Sequence, residues 1–238
     1  MNTRYIGILL CSVLPMAVGG QVPSGSGKDR AESVPHAVYS DNVVEGEPYQ
    51  ATFEGHERIF HPDGQVTTSV MCGRIYRDRE GRVRRDTYGF APCDSLAQPL
   101  EAPIVMINDY VQSSDAAYIL DPARKIFWRL SFGFGKVTPR HKQTWGFQSL
   151  QERQDVPEPV QLEGLKCRKV LIKTEDGEAG TVWLCDERGV VVRQEVGPRV
   201  TWQLTHILGG EPDPALFKVP PDYQDETGKE KPSIEIPQ

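Results

Sequence analysis

Between residues 49 and 207 apolar side chains alternate with polar ones in short runs, each ended by turn chemistry. A period of two marks strands with one covered and one wet face. It predicts a strand over Tyr49–Phe60, ended by His61-Pro62-Asp63-Gly64, and a second from Gln65 to Arg77, ended by Asp78-Arg79-Glu80-Gly81. A third is expected from Arg82 to Tyr88, with others at 103–108, 116–121 and 124–131. Asp121-Pro122-Ala123 divides the last two, because proline cannot donate to a ladder. The second half repeats the pattern at 147–153, 164–174, 180–186, 189–196 and 199–207. Its turns fall at Glu175-Asp176-Gly177, Asp186-Glu187-Arg188-Gly189 and Gly197-Pro198. On the last strand Val200, Trp202 and Leu204 share one face and Thr201, Gln203 and Thr205 the other. No window of about 12 residues carries helical periodicity. Short helices fit only around 94–101 or 213–217. The pattern is mainly β: an antiparallel meander of about ten strands with one apolar face.

The ends read differently. Met1-Asn2-Thr3-Arg4 supplies a positive start, Tyr5 to Val18 is apolar apart from Gly7, Ser12 and Pro15, and Gly19 and Gly20 follow. That order describes a Sec-type signal peptide over 1–20, cleaved near Gly19 or Gly20. Cys11 sits inside the apolar run behind Leu10, where lipidation would need a small residue. Residues 21–35 read as a flexible linker, 36–223 as the β-rich domain and 224–238 as a polar, disordered tail. After the leader no apolar run approaches the roughly 18 residues of a spanning helix, so no transmembrane segment is expected after cleavage. The expected location is periplasmic or secreted. A formal charge of −6, from 27 Lys+Arg against 33 Asp+Glu, argues against a nucleic-acid partner.

Export also changes how the cysteines read. Without the leader Cys72, Cys93, Cys167 and Cys185 remain, and four cysteines in an oxidising compartment allow three pairings. If Glu175-Asp176-Gly177 is a three-residue hairpin loop, Thr174 faces Glu178 and counting outward sets Cys167 opposite Cys185. A two-residue turn would shift the register by one and spoil that pairing. Cys167–Cys185 is the favoured bridge.

Three segments resemble a group of exported, mostly uncharacterised bacterial proteins, many from acidobacteria. They are Arg74-Ile75-Tyr76-Arg77-Asp78-Arg79-Glu80-Gly81-Arg82-Val83-Arg84-Arg85, Ala117-Tyr118-Ile119-Leu120-Asp121-Pro122, and Glu211-Pro212-Asp213-Pro214-Ala215-Leu216-Phe217-Lys218-Val219-Pro220-Pro221-Asp222-Tyr223. Leu162-Glu163-Gly164-Leu165 looks like the turn that opens their second meander. The closing segment is also similar to the end of domains with the periplasmic lipoprotein-carrier (LolA/LolB/RseB-like) fold. That resemblance implies a single strongly curved antiparallel sheet, a half-barrel whose concave face can hold an apolar ligand. The chain departs from it in showing no clear helices to plug that face.

Arg74, Arg77, Arg79, Arg82, Arg84 and Arg85 lie on two strands joined by a tight turn, so several guanidinium groups are expected to cluster on one face. Guanidinium groups grip carboxylate and phosphate bidentately, so Arg74, Arg77, Arg82, Arg84 and Arg85 are candidate contacts for an anionic partner. Asp78, Glu80 and Asp86 neutralise part of this cluster, and exposed charge is the ordinary outer face of a sheet. Trp128, Phe132, Phe134, Trp145, Trp183 and Trp202 are candidate ligand-lining aromatics, although aromatics at strand spacing commonly fill a core. The stretch 131–146 reads as a long apolar-tipped loop. His56 and His61 are five apart, on a strand rather than one helical face, so they fail the zinc-protease pattern. Gly25-Ser26-Gly27-Lys28 lacks the rest of a phosphate loop. No catalytic arrangement, metal or cofactor is indicated. The expectation is a non-enzymatic exported domain that binds a lipid, another apolar ligand or an acylated partner on its concave face. An envelope protein-interaction or sensor module working through the Arg hairpin is the alternative, and a hydrolase ranks last.

Overall fold

The computed structural model describes residues 44–61, 63–88, 102–108, 117–130, 140–141, 152–173, 179–197 and 200–229. Among them run β1 (Val44–Glu45), β2 (Tyr49–Phe60), β3 (Val66–Arg77), β4 (Val83–Tyr88), β5 (Ile104–Asn108), β6 (Ala117–Asp121) and β7 (Ile126–Leu130). There follow β8 (Arg140–His141), β9 (Glu152–Leu162), β10 (Leu165–Lys173), β11 (Ala179–Cys185), β12 (Val190–Val196), β13 (Val200–Gly209) and β14 (Gln224–Asp225). A 3-10 turn covers Pro214–Phe217.

Twelve of these strands make one sheet in the order β14-β7-β6-β5-β4-β3-β2-β13-β12-β11-β10-β9, while β1 and β8 pair with each other. β2 to β7 form one antiparallel meander and β9 to β13 a second, joined where β13 lies against β2. The meander read from the alternation is therefore the observed architecture, an open sheet with β14 and β9 at its edges. β2 has the bounds its pattern predicts.

One strand differs. A strand was expected at 147–153, whereas β9 spans Glu152–Leu162 and carries Pro157 and Pro159. Proline is excluded from central strands because it removes a ladder hydrogen bond, but β9 ends the sheet, and an edge tolerates it. Residues 147–151 lie outside the described residues.

Curvature is visible in contacts that a flat sheet forbids. β3 and β12 are three strand spacings apart, about 14 Å when flat, beyond the reach of one side chain. Yet Arg77, at the end of β3, donates from Nη1 to the Gly189 carbonyl at 2.8 Å, in the turn between β11 and β12. Likewise Glu163, at the β9–β10 turn, accepts from the His206 N–H of β13 at 2.8 Å. Register shifts at Arg168/Lys169, Trp183/Leu184 and Thr205/Leu208 supply the bulges that allow this bend. Glu163 and Gly164 both have positive φ, the geometry of a two-residue hairpin turn whose twist suits its strands.

Arg77 shares its face with Tyr49, Phe53, Ile75 and Trp202 through the strand pairings, so that face is the concave one. It carries the main apolar cluster, from Tyr49, Phe53 and Ile75 across to Trp202, Val182 and Val170. Ala117, Ile119, Ile126, Trp128 and Leu130 continue it over β6 and β7. Gly73 is needed at the centre. A Cβ there would stand 1.9 Å from the Asp86 carbonyl oxygen and 2.7 Å from the Phe53 ring, so only glycine lets the two strands and that ring close together.

Behind β5 and β6, Val105, Ile107 and Leu120 form a second apolar patch on the convex face, packed against Tyr118, Phe127, Val219 and Tyr223. The chain after β13 thus crosses the back of the sheet. Gln224–Asp225 then pairs parallel with β7, past Tyr223, where composition alone would end the domain.

The bridge favoured from hairpin arithmetic is present. Lys173 faces Ala179, and six residues further out Cys167 and Cys185 are joined with Cα atoms 4.0 Å apart. Cys72 is buried and takes no part in that bridge. Cys93 lies outside the described residues.

Candidate functional site

Strand registers define rows of side chains across the concave face. One row runs Tyr49–Arg77–Val83–Asn108–Ala117–Leu130, the next Ala51–Ile75–Arg85–Met106–Ile119–Trp128. Beyond β2 a further row continues Gly55–Trp202–Gln194–Val182–Val170. Most of these residues are buried. The wall is apolar, with Arg85, Asn108 and Gln194 as its embedded polar groups and Arg77 closing one end.

Arg77 accounts for itself. Its guanidinium lies 4.7 Å from the centre of the Tyr49 ring. It donates to the Glu47 carbonyl from Nε at 3.1 Å and from Nη2 at 2.8 Å, and to the carbonyls of Gly189 and Arg188. Burial pulls its pKa down, with Tyr49 and Glu47 opposing. Arg85 sits with its guanidinium 5.6 Å from the centre of the Phe53 ring.

Two wall residues are different. Asn108 is 4% exposed and Trp128 2%, and among the described residues Asn108 Oδ1 and Trp128 Nε1 have no hydrogen-bond partner. A buried polar atom left without a partner costs about 1–3 kcal/mol, so each marks a place where a ligand group would be welcomed. Ala117 stands on β6 beside Asn108 in the row, and its small side chain leaves the least bulk of any wall residue of β6.

Of the aromatic candidates, Trp128 and Trp202 lie on this wall, both buried. Trp183 does not. It stands on the convex face between Lys169 and Arg193, whose charged groups lie 5.7 and 5.2 Å from its ring centre. Phe132, Phe134 and Trp145 lie outside the described residues, as does most of the loop 131–146.

The arginine candidates do not share one face. Arg77 and Arg85 point to the concave side, Arg74 and Arg84 to the convex side, as period two demands of odd and even positions on paired strands. Arg74 is exposed. Arg84 Nη1 donates to the Leu216 carbonyl at 2.9 Å, and its Nε donates to Asp86 at 2.6 Å. Arg82 binds Asp78 at 2.5 Å and lies 5.4 Å from the centre of the Phe217 ring. Burial raises the pKa of Asp86 despite its Arg84 bond. The Arg hairpin is thus a clasp for the closing segment.

The three segments that carry the family resemblance meet in this clasp. Val219 and Tyr223 pack beside Tyr118 and Leu120, while Arg84 holds the Leu216 carbonyl and Arg82 lies over the buried Phe217 ring. Arg82 and Arg84 are candidate contacts for an outside partner by sequence, with Asp78, Glu80 and Asp86 as neutralising neighbours; those ion pairs are present, and the bonds to the closing segment are what the sequence does not reveal. Sequence reasoning also passed over Asn108 and Gln194. The one available signal for Asn108 was a polar residue ending the apolar run Ile104-Val105-Met106-Ile107.

Among the described residues no group of three His, Cys, Asp or Glu side chains could hold a metal ion. Nor, among them, is any helix long and apolar enough to cross a membrane.

No family model matches the chain, and no curated protein matches it. Solved structures do. An uncharacterised conserved protein from Thermus thermophilus has a TM-score of 0.47 at 11% identity, over 76% of this chain and 91% of that one. MucB in the Pseudomonas aeruginosa MucA/MucB complex has a TM-score of 0.41 at 13% identity over 78% of this chain, which spans only 59% of that one. A LolA superfamily protein from Nitrosomonas europaea has a TM-score of 0.33 at 7% identity, over 75% of this chain and 94% of that one. MucB and a LolA superfamily protein are among the solved structures to which this chain is similar in fold.

Proposed function

We propose that this is a non-enzymatic envelope binding domain that takes an apolar chain, with one polar function, against the concave face of its sheet. The observation that carries the reading is a pair of buried atoms without a hydrogen-bond partner among the described residues, Trp128 Nε1 and Asn108 Oδ1, set in an apolar wall. A donor and an acceptor in such surroundings suit an ester, amide or carboxylic acid at the head of an acyl chain. The signal-peptide pattern of residues 1–20 supports an exported location.

The wall is buried, so the ligand displaces packing atoms and binding includes an opening step. A filled wall also favours a second reading, an envelope protein-interaction module. That module would not work through Arg77, Arg82 or Arg84, which have internal roles.

Mature protein purified from the envelope tests both. Native mass spectrometry is expected to show a lipid-sized adduct, and a naphthylamine dye is expected to bind and be displaced by palmitate. Trp128→Phe keeps the packing and removes only the N–H, so it should weaken palmitate several-fold. Absence of both adduct and dye binding, with an envelope protein recovered by cross-linking, would replace the first reading with the second.

A further inference from the structure

The edge of the sheet at β7 is covered in a way that central strands are not. Gln224 N donates to the Lys125 carbonyl at 2.9 Å and Glu226 N to the Phe127 carbonyl at 2.8 Å. Arg129 N donates to Thr227 Oγ1 at 2.9 Å. The outward backbone groups of β7 are therefore those of residues 125, 127 and 129, and residues 224–227 occupy them. The cover is slight: β14 pairs through only two residues and runs parallel, the weaker arrangement per residue. Beyond it the residues are polar, with nothing apolar to anchor them until Ile234.

The groups beneath this cover are self-complementary. Two β7 edges brought together antiparallel about Trp128 set Phe127 of one copy opposite Arg129 of the other, twice over. Residues 127 and 129 are the ones with outward N–H and C=O, so both pairs fall on hydrogen-bonding positions and exchange two bonds each. Their side chains suit the pairing: Phe127 meets Tyr118 edge-to-face at 6.2 Å, and the Arg129 guanidinium already lies 5.9 Å from the Tyr118 ring. A cross-strand Phe–Arg contact adds a cation–π pair on the convex side. A register centred on residue 127 would set Lys125 opposite Arg129, like charge against like, with Lys125 held at a positive φ in the turn before β7.

We propose that the outer edge of β7 is a self-pairing surface for a second copy of this chain, held shut by residues 224–227. Displacing that strand joins two half-barrels edge to edge into one continuous sheet. The inference stands apart from the ligand reading, since it uses backbone groups of the edge and none of the concave wall.

The test compares the mature chain with Gln224→Pro/Glu226→Pro, which removes both strand donors, and with a chain ended after Tyr223. Light scattering after gel filtration, over a wide concentration series, should give a monomer for the unaltered chain and dimers for both variants. Adding Arg129→Pro to either variant removes an outward donor without touching the β6 side, and should return it to monomer. The proposal is overturned if the unaltered chain is already dimeric, or if the variants keep their circular dichroism and remain monomeric. Association that survives Arg129→Pro also overturns it, by locating the contact elsewhere. So does unfolding of both variants, because a guard strand must be dispensable to the sheet it covers.

Discussion

Arg77→Met removes the clamp that draws the two meanders together. The guanidinium donates to three carbonyls, those of Glu47, Gly189 and Arg188, from inside the fold. Charge-assisted bonds of this kind contribute about 1.5–3 kcal/mol each, and three carbonyls would lose their donor. Against that, methionine no longer requires a buried charge, which offsets several kcal/mol. Stacking on Tyr49 adds about 1–2 kcal/mol to what is lost. The net expectation is a loss of about 3–5 kcal/mol, a large part of the stability of an ordinary domain. Arg77→Lys keeps a charge but not the planar fork that spans three acceptors, so it should fall with methionine rather than with the unaltered chain. Guanidinium chloride unfolding followed by tryptophan fluorescence measures both. A loss below about 1 kcal/mol for Arg77→Met would refute the clamp, since point substitutions in general centre on about that size.

Three further perturbations have definite signs. Gly73→Ala sets a methyl group on the Asp86 carbonyl oxygen, and thermal unfolding should reveal a loss of about 2–4 kcal/mol, because backbone must move. Reducing Cys167–Cys185 frees a loop of separation 18 in the unfolded chain, worth about 3 kcal/mol by loop-closure entropy, and unfolding with and without reductant reads it. Asp86 has a folded pKa raised above 3.8 by burial, so the native state holds its proton longer than the unfolded chain does. Its contribution therefore falls as pH rises from 3.8 through that raised value, and the stability difference from Asp86→Asn should move in the variant's favour over that interval; the opposite slope would contradict the burial.

The strands were legible where one face is covered and the other wet. β2 and β13 alternate cleanly, and the Cys167–Cys185 register followed from counting out of a hairpin. β9 was misread because its prolines are acceptable only at an edge, and edge position is a property of the whole sheet. β5 reads as a continuous apolar run because both of its faces are covered, one by the concave core and one by the closing segment. A composition-based boundary at Tyr223 missed that two polar residues complete a neighbour's hydrogen bonds. The Arg hairpin shows the same limit: its guanidinium groups were expected on one face, whereas the strand pairing divides Arg77 and Arg85 from Arg74 and Arg84, and tertiary packing supplies their partners. Asn108 and Trp128 differ from ordinary core residues only by an unmet hydrogen bond, which no pattern of residue types encodes.

The indole resonances of the chain offer the most direct measurement. Of the four tryptophans, Trp128 lies on the concave wall with its N–H unmet, while Trp183 faces outward between two cations. With nitrogen-labelled tryptophan, and Trp128→Phe to assign its signal, palmitate should shift the Trp128 N–H downfield and leave Trp183 in place. An unmoved Trp128 signal at saturating palmitate, or a shift confined to Trp183, would contradict the concave face as the binding surface.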